Sequence, residues 1–372
     1  MYFRGVARKD NKTKNLIKRL KPGEIAIINH KDLDEVAAMS LVEKKVKCVI
    51  NVNKTISGRY PNQGPKVMIE ANIPIFEAEE HLFDIIEEGA VIEIIDEVVL
   101  KEGNEIGKCK LLDIDAIEEM MNMGYENLEK ELELFIENTL NYAKKEKGLV
   151  TGKIPIPKTK TDLKNKHTLV VVRGKDYKAD LEAISSYIDE VKPVLIGVDG
   201  GGDALLDFGY TPDIIVGDMD SVSDKCLQKA KEIFVHAYPD GRAPGLKRVE
   251  DLGLTANIFP SPGTSEDIAF LLAYDNGADL IVAVGTHSNM IDFLEKGRKG
   301  MASTFLVRLK VGPKLVDAKG VNKLYNSSFR LKYAVGIVIA ALIPILIITL
   351  RHPLLRDLLF LMKIRIKLLL GL

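Results

Sequence analysis

The chain has 372 residues, 46% hydrophobic and 28% charged, a balance that fits globular domains with buried cores and argues against extended disorder. Its formal net charge of −1, with no basic stripe, argues against a nucleic-acid partner. The three cysteines, Cys48, Cys109 and Cys226, are too scattered for a disulfide framework or a structural zinc site.

The first twenty residues are basic without an apolar core, so they do not read as a signal peptide. Residues 1–150 are predicted to form a smaller α/β domain with an acidic helical segment. Within it, 24–29 (EIAIIN) and 47–51 (KCVIN) read as strands around a helix at 33–44, a parallel unit. The loop at 57–65 (SGRYPNQGP) follows the second strand and suits either an anion or an ordinary turn. Residues 90–112 have β character with turns at Gly103 and Gly107. Residues 114–147 are helical and acidic, and Leu128, Leu132, Phe135 and Leu140 form an apolar docking stripe. Residues 151–166 lie in a Lys-, Gly- and Pro-rich stretch and read as a linker.

From 167 to 325 short β-rich runs alternate with helical patterns. Strands are predicted at 168–172, 194–198, 214–216, 233–236 and 280–284, with helices at 179–190, 203–208 and 266–276. Such alternation implies a mostly parallel sheet covered by helices, with ligands at the carboxyl ends of the strands. The uncharged run at 333–350 (YAVGIVIAALIPILIITL) is flanked by Arg330, Lys332 and Arg351. It is predicted as a C-terminal transmembrane helix over 331–350, followed by a basic amphipathic tail at 351–372 with Arg356, Lys363, Arg365 and Lys367. The expected location is the cell membrane, single-pass, with the large N-terminal region cytoplasmic.

Three motifs fall at predicted strand ends. In GVDGGGDALL, the 194–198 strand runs into Asp199, Gly200, Gly201 and Gly202, where backbone amides can approach a phosphate. In TPDIIVGDMDSVS, Asp213, Asp218 and Asp220 bracket an apolar strand, and Asp218 and Asp220 can face one side of an extended chain. Mg2+ prefers carboxylate and phosphate oxygens, so this pair suits it, although Asp220-Ser221 also suits a turn. In PGTSEDIAFLLA, Thr264 or Ser265 caps a helix that opens with Glu266 and Asp267. Arg173, Lys175 and Lys178 follow the first strand of this region. His236, Asp240, Arg242, Lys247 and Arg248 share a loop able to close over a triphosphate.

The Asp199–Gly202 turn followed by PDIIVGDMDS resembles the catalytic domain of thiamine pyrophosphokinases, and Asp267 matches that family's acidic helix start. VRGKDYKADL, HAYPDGRAPGL, VAVGTHSNMIDFLEKGRKGMASTFLVRLKVG and the C-terminal segment together resemble the SteA-like proteins of the bacterial cytokinetic ring. The resemblance implies a pyrophosphokinase-like domain that transfers a pyrophosphoryl group from ATP to an alcohol. It implies Asp199, Asp218, Asp220 and Asp267 as catalytic residues, the first three on Mg2+. Nucleotide contacts fall to Gly200, Gly201, Gly202, Arg173, Lys175, Ser221, Arg242, Thr264, Ser265, Thr286 and His287. The implied partners are a nucleotide, a lipid membrane, a membrane protein of cell division and a second copy of the chain. The chain departs from the kinase pattern where Gly285-Thr286-His287-Ser288-Asn289 stands in place of a Gly-Gly-Arg-x-Asp-His motif. No room follows for the β-rich domain that helps enclose thiamine. The alternative reading is a catalytically silent nucleotide-binding scaffold of the division machinery.

Overall fold

The computed structural model of the protein describes residues 1–287, 289–324, 331–351 and 353–369. The chain divides into two compact units, Met1–Asn322 and Lys323–Leu372.

The first unit opens with seven strands: β1 (Tyr2–Asp10), β2 (Ile25–Ile28), β3 (Cys48–Asn51), β4 (Ile75–Ala78), β5 (Val91–Ile95), β6 (Val98–Lys101) and β7 (Asn104–Leu111). They close into a barrel in the order β1-β2-β3-β4-β7-β6-β5. This corrects the expected smaller α/β domain, whose strands form a closed barrel. The parallel unit is present, since β1 to β4 pair in parallel. The antiparallel strands β5 to β7 then carry the sheet round, and β5 pairs antiparallel with β1 and seals it. Closure depends on pairing Tyr2 with Ile95 at opposite ends of this region, and no local pattern encodes that. The two halves differ in burial. β2 and β3 are buried along their whole length, with Ile25, Ile27, Cys48 and Ile50 facing inward and Ala26, Ile28 and Val49 lying under helices. β5 is exposed on alternate residues, as a strand with one solvated face should be.

Two helices, Ile114–Glu126 and Leu128–Glu146, follow the barrel. Phe135 is buried and meets Phe293 at a ring-centroid distance of 6.1 Å, whereas Leu132 and Leu140 of the expected docking stripe are exposed.

The second sheet comprises β8 (His167–Val171), β9 (Val194–Val198), β10 (Ile214–Gly217), β11 (Glu232–Ala237), β12 (Asn257–Pro260), β13 (Leu280–Val284) and β14 (Leu315–Asp317). Every pairing is parallel, in the order β12-β11-β10-β9-β8-β13-β14. From β8 the chain steps outward through β9 to β12, then returns to the other side of β8 as β13. The topological switch point therefore lies between β8 and β13. Apolar side chains fill both faces, Val170, Ile196, Val216 and Phe234 on one and Leu169, Leu195, Ile215 and Val235 on the other. The helix Ser265–Asp275 is buried from Glu266 to Ala273, which explains its nearly unbroken apolar sequence.

In the second unit the predicted apolar segment forms a helix, Leu331–Arg351, with Pro344 inside it, and the tail forms another, Pro353–Leu369. Among the described residues, no helix is long and apolar enough to cross a membrane. The transmembrane helix and the single-pass location that it implied are corrected accordingly. Eighteen residues rise only about 27 Å, against roughly 30 Å of bilayer hydrocarbon, and charges bound the run at Lys332 and Arg351. Arg330 and the tail positions 352 and 370–372 lie outside the described residues, as do 325–330 at the boundary predicted at 325.

Candidate functional site

The loops at the carboxyl ends of β8, β9, β10 and β13 gather most of the predicted site residues. β9 delivers Asp199 in a left-handed conformation, φ +47°. A non-glycine residue there is strained, and Asp is one of the few that tolerates it. The Asp199 N–H donates to the Val216 carbonyl of β10 at 2.9 Å, and its own carbonyl accepts from Gly202 N–H at 3.1 Å. The turn is thus pinned at both ends while the carboxylate projects over the start of the next loop.

Close approach explains the glycines. A Cβ on Gly201 would stand 1.9 Å from the Val171 carbonyl, and one on Gly217 would stand 1.8 Å from Asp199 Oδ1. No side chain fits either place, so β9's turn rests on β8 and the Asp199 carboxylate rests on the end of β10. A Cβ on Gly200 would meet Arg173 Cδ at 2.6 Å, which puts the Arg173 side chain across the same turn.

Asp199 and Asp218 are neighbours across this turn. Asp199 Oδ1 is buried without a hydrogen-bond partner. Burial, followed by the adjacent Asp218 carboxylate, pushes the Asp199 carboxyl up to about 7. Asp218 is exposed, and its Oδ1 accepts from Asp220 N–H at 2.9 Å. That hydrogen bond and a left-handed Met219, φ +67°, turn Asp220 away. Asp220 instead faces the barrel, with Lys12 Nζ at 3.4 Å and Lys14 Nζ at 3.8 Å, and Lys14 also donates to Ser221 Oγ at 3.2 Å. Among the described residues, no group of three or more His, Cys, Asp or Glu is placed to hold a metal ion. The Asp199–Asp218 pair nonetheless has the chemistry that a hard cation bridging to phosphate uses, which is one or two carboxylates with the rest supplied by ligand and water.

The other predicted residues fall into separate places. Asp213 sits at the opposite end of β10, where it accepts from Leu195 N–H at 2.9 Å and pairs with Lys231 at 2.6 Å. Thr264 and Asp267 form a reciprocal capping box, with both backbone-to-side-chain bonds at 3.0 Å. Asp267 has no solvent exposure and also accepts from Thr304 Oγ1 at 3.3 Å; burial, then Glu266, raises its carboxyl above the usual range. Ser265 is the exception: its hydroxyl hydrogen-bonds the Asp199 carboxyl and also lies 3.3 Å from His236 Nδ1, while His236 Nε2 lies 3.0 Å from the Ser261 carbonyl. Burial holds His236 below its ordinary value. Lys175 pairs with Glu35 at 2.7 Å and Lys178 with Glu43 at 2.9 Å, both acids belonging to a barrel helix. Arg242 is exposed, bonded to Asp240 at 2.8 Å and stacked on Tyr238. Its loop does reach the site, since a Cβ on Gly245 would stand 2.2 Å from the Asp218 carbonyl.

After β13, Gly285 packs backbone to backbone on Gly174, closing the switch point itself. Thr286 donates to Asp317 at 3.2 Å, and Arg308 pairs with Asp317 at 3.1 Å. His287 Nδ1 lies 3.2 Å from Glu266 Oε2, and both side chains are buried. Ser288 lies outside the described residues. Arg308 and Asp317 have no local motif to mark them, and neither do Lys12 and Lys14. Strand order brings the first two to the site, and packing of the barrel against the sheet brings the lysines. Two surface depressions, one lined by Leu163, Asn276 and Gly277 and the other by Val194, Asp213 and Lys231, lie at the amino ends of the strands, away from these residues.

Residues 319–370 match the SteA-like C-terminal domain. The likeness to SteA-like proteins is thus found in the segment that carries the two C-terminal helices. No curated protein matches the chain. Solved structures that match include a 3-isopropylmalate dehydratase from Methanocaldococcus jannaschii, with 16% identity, a TM-score of 0.24, and coverage of 37% of this chain and 99% of that one. A thiamine pyrophosphokinase from Bacillus subtilis matches with 22% identity and a TM-score of 0.25, over 41% of this chain and 59% of the kinase. Scores this low do not establish a shared fold.

Proposed function

We propose that the 199–221 loops bind a nucleoside triphosphate, ATP or a relative, together with Mg2+. The observation that carries this reading is the Asp199 carboxylate: buried, pressed against Asp218, and with Oδ1 left without a partner. A buried unpaired carboxylate oxygen is costly unless something completes it. A cation does so, and glycines that leave the backbone open give phosphates room beside it. Asp199 and Asp218 would hold the metal, which when bound neutralises phosphate charge. Arg173, lying across Gly200, would meet a phosphate oxygen.

Binding without turnover is the form of this reading that the site favours. Asp267 is fully buried with its Oδ2 held in the capping box, and His287 is buried against Glu266 rather than open to an acceptor alcohol. The 319–370 match supports a role alongside the SteA-like proteins, for which the sequence resemblance implies work in cell division. The test is calorimetric titration of the full chain with ATP, with and without magnesium. Magnesium-dependent binding is expected, weakened at least tenfold in Asp199→Asn and in Asp218→Asn. Binding that ignores both magnesium and these substitutions sinks the proposal.

A further inference from the structure

We propose that Lys12 and Lys14 of the barrel are phosphate-binding residues of the 199–221 site, so that the barrel completes a nucleotide site built on the other sheet. This rests on the nucleotide reading above. Lys12 ends the turn after β1 and Lys14 lies in the helix Thr13–Arg19 that follows. Both ammonium groups reach across to Asp220 and Ser221, at 3.4 and 3.8 Å from Asp220 Oδ2, with Lys14 also 3.2 Å from Ser221 Oγ. These are two cations from a different sheet, converging on the one loop that carries Asp218.

Charge balance gives them their task. A triphosphate beside Asp199 and Asp218 brings more negative charge than one magnesium ion and Arg173 offset. Several other cations nearby already hold partners. Arg248 donates to the Met219 and Val222 carbonyls and to Asp224, Lys175 holds Glu35, and Lys178 holds Glu43. Lys12 and Lys14 hold only an exposed carboxylate, half accessible to water, and a hydroxyl. An exposed pair of this kind is weak, because solvent screens it and two long side chains are ordered to make it. A phosphate is a more highly charged acceptor, and lysine is a common ligand for it. Exchange of this weak pairing for phosphate is therefore favoured.

The experiment titrates the full chain, wild type and the Lys12→Gln/Lys14→Gln double variant, with ATP and with inorganic tripolyphosphate in excess magnesium. The double variant is expected to lose at least tenfold in affinity for both, with the loss shrinking as salt is raised. The charge-preserving Lys12→Arg/Lys14→Arg variant is expected to stay within threefold of wild type, which separates phosphate binding from a folding defect. If wild type binds and the glutamine variant binds equally or more tightly, this inference fails and the nucleotide reading stands. If wild type binds neither probe, both fall together.

Discussion

The barrel and the parallel sheet both end their strands in polar, glycine-containing loops, yet the two sets of loops are finished differently. In the barrel, Asn51 accepts from His30 N–H at 3.0 Å and donates to the His30 carbonyl at 2.8 Å and to Thr55 at 3.1 Å. Asp32 accepts from Ser57 N–H at 2.7 Å, and Asn62 donates to the Leu33 and Thr55 carbonyls. The one buried atom without a partner in this loop set is the neutral Asn62 Oδ1. In the sheet, the unpartnered atom beside the glycine turn is a carboxylate oxygen, crowded by a second carboxylate. The lesson is that loop composition does not separate a scaffold from a site. The charge left unsatisfied after folding does.

The contrast can be broken first at the glycines. Gly64→Ala would force a Cβ within 1.9 Å of the Leu33 carbonyl in the barrel, where rigid backbone must move. It is expected to cost about 3 kcal/mol in denaturant unfolding while leaving magnesium–ATP affinity of the folded protein within twofold. Gly217→Ala meets a side chain instead and is expected to cost less stability, but at least tenfold in that affinity. A reversal of these two patterns would put the site in the wrong region.

Asn51→Ala removes the hub of the barrel network and is expected to lose about 2 kcal/mol, since His30 N–H is left without its acceptor. Calorimetry with magnesium and ATP should be unchanged. A collapse of binding would make the barrel loop part of the ligand site and erase the distinction.

The smallest expected effect lies at Glu295, where the two regions meet. Burial, then Asp34 and Glu35 of the barrel and Asp292, raises its carboxyl to about 7. The folded state therefore holds a proton that the unfolded state releases near 4.5. The stabilising contribution is whole below that lower value and is lost as pH rises through about 7. Glu295→Gln is expected to flatten this slope, gaining about 1–2 kcal/mol at pH 8 after allowance for solvent screening and nothing at pH 4. Unfolding curves at the two pH values check it, and equal gains at both would show that charge is not the cause.

Much of the parallel sheet was legible in the sequence. The apolar runs at 168–172, 194–198 and 280–284 match β8, β9 and β13 to within a residue or two, because strands buried on both faces must be apolar throughout. The predicted helix at 179–190 is two helices, Tyr177–Ala183 and Ser185–Val191, broken at Ile184. β12 and β14, edge strands of four and three residues with little alternation, carry no such signal. The uncharged C-terminal run was legible as a helix, but apolarity alone did not make it long enough to cross a membrane.

The candidate site divides the same way. That Asp199, Gly200–Gly202 and Asp218 belong to strand ends was fixed by the chain itself, since each follows directly on an apolar run and a left-handed turn suits Asp or Gly there. That Asp267 is a buried cap, that Asp220 faces two barrel lysines, and that His287 meets Glu266 was decided only by tertiary structure. Those contacts join residues 3, 208 and 21 positions apart. Even the nearest of them depends on which way a helix start is packed, and the farthest on how a closed barrel lies against a parallel sheet.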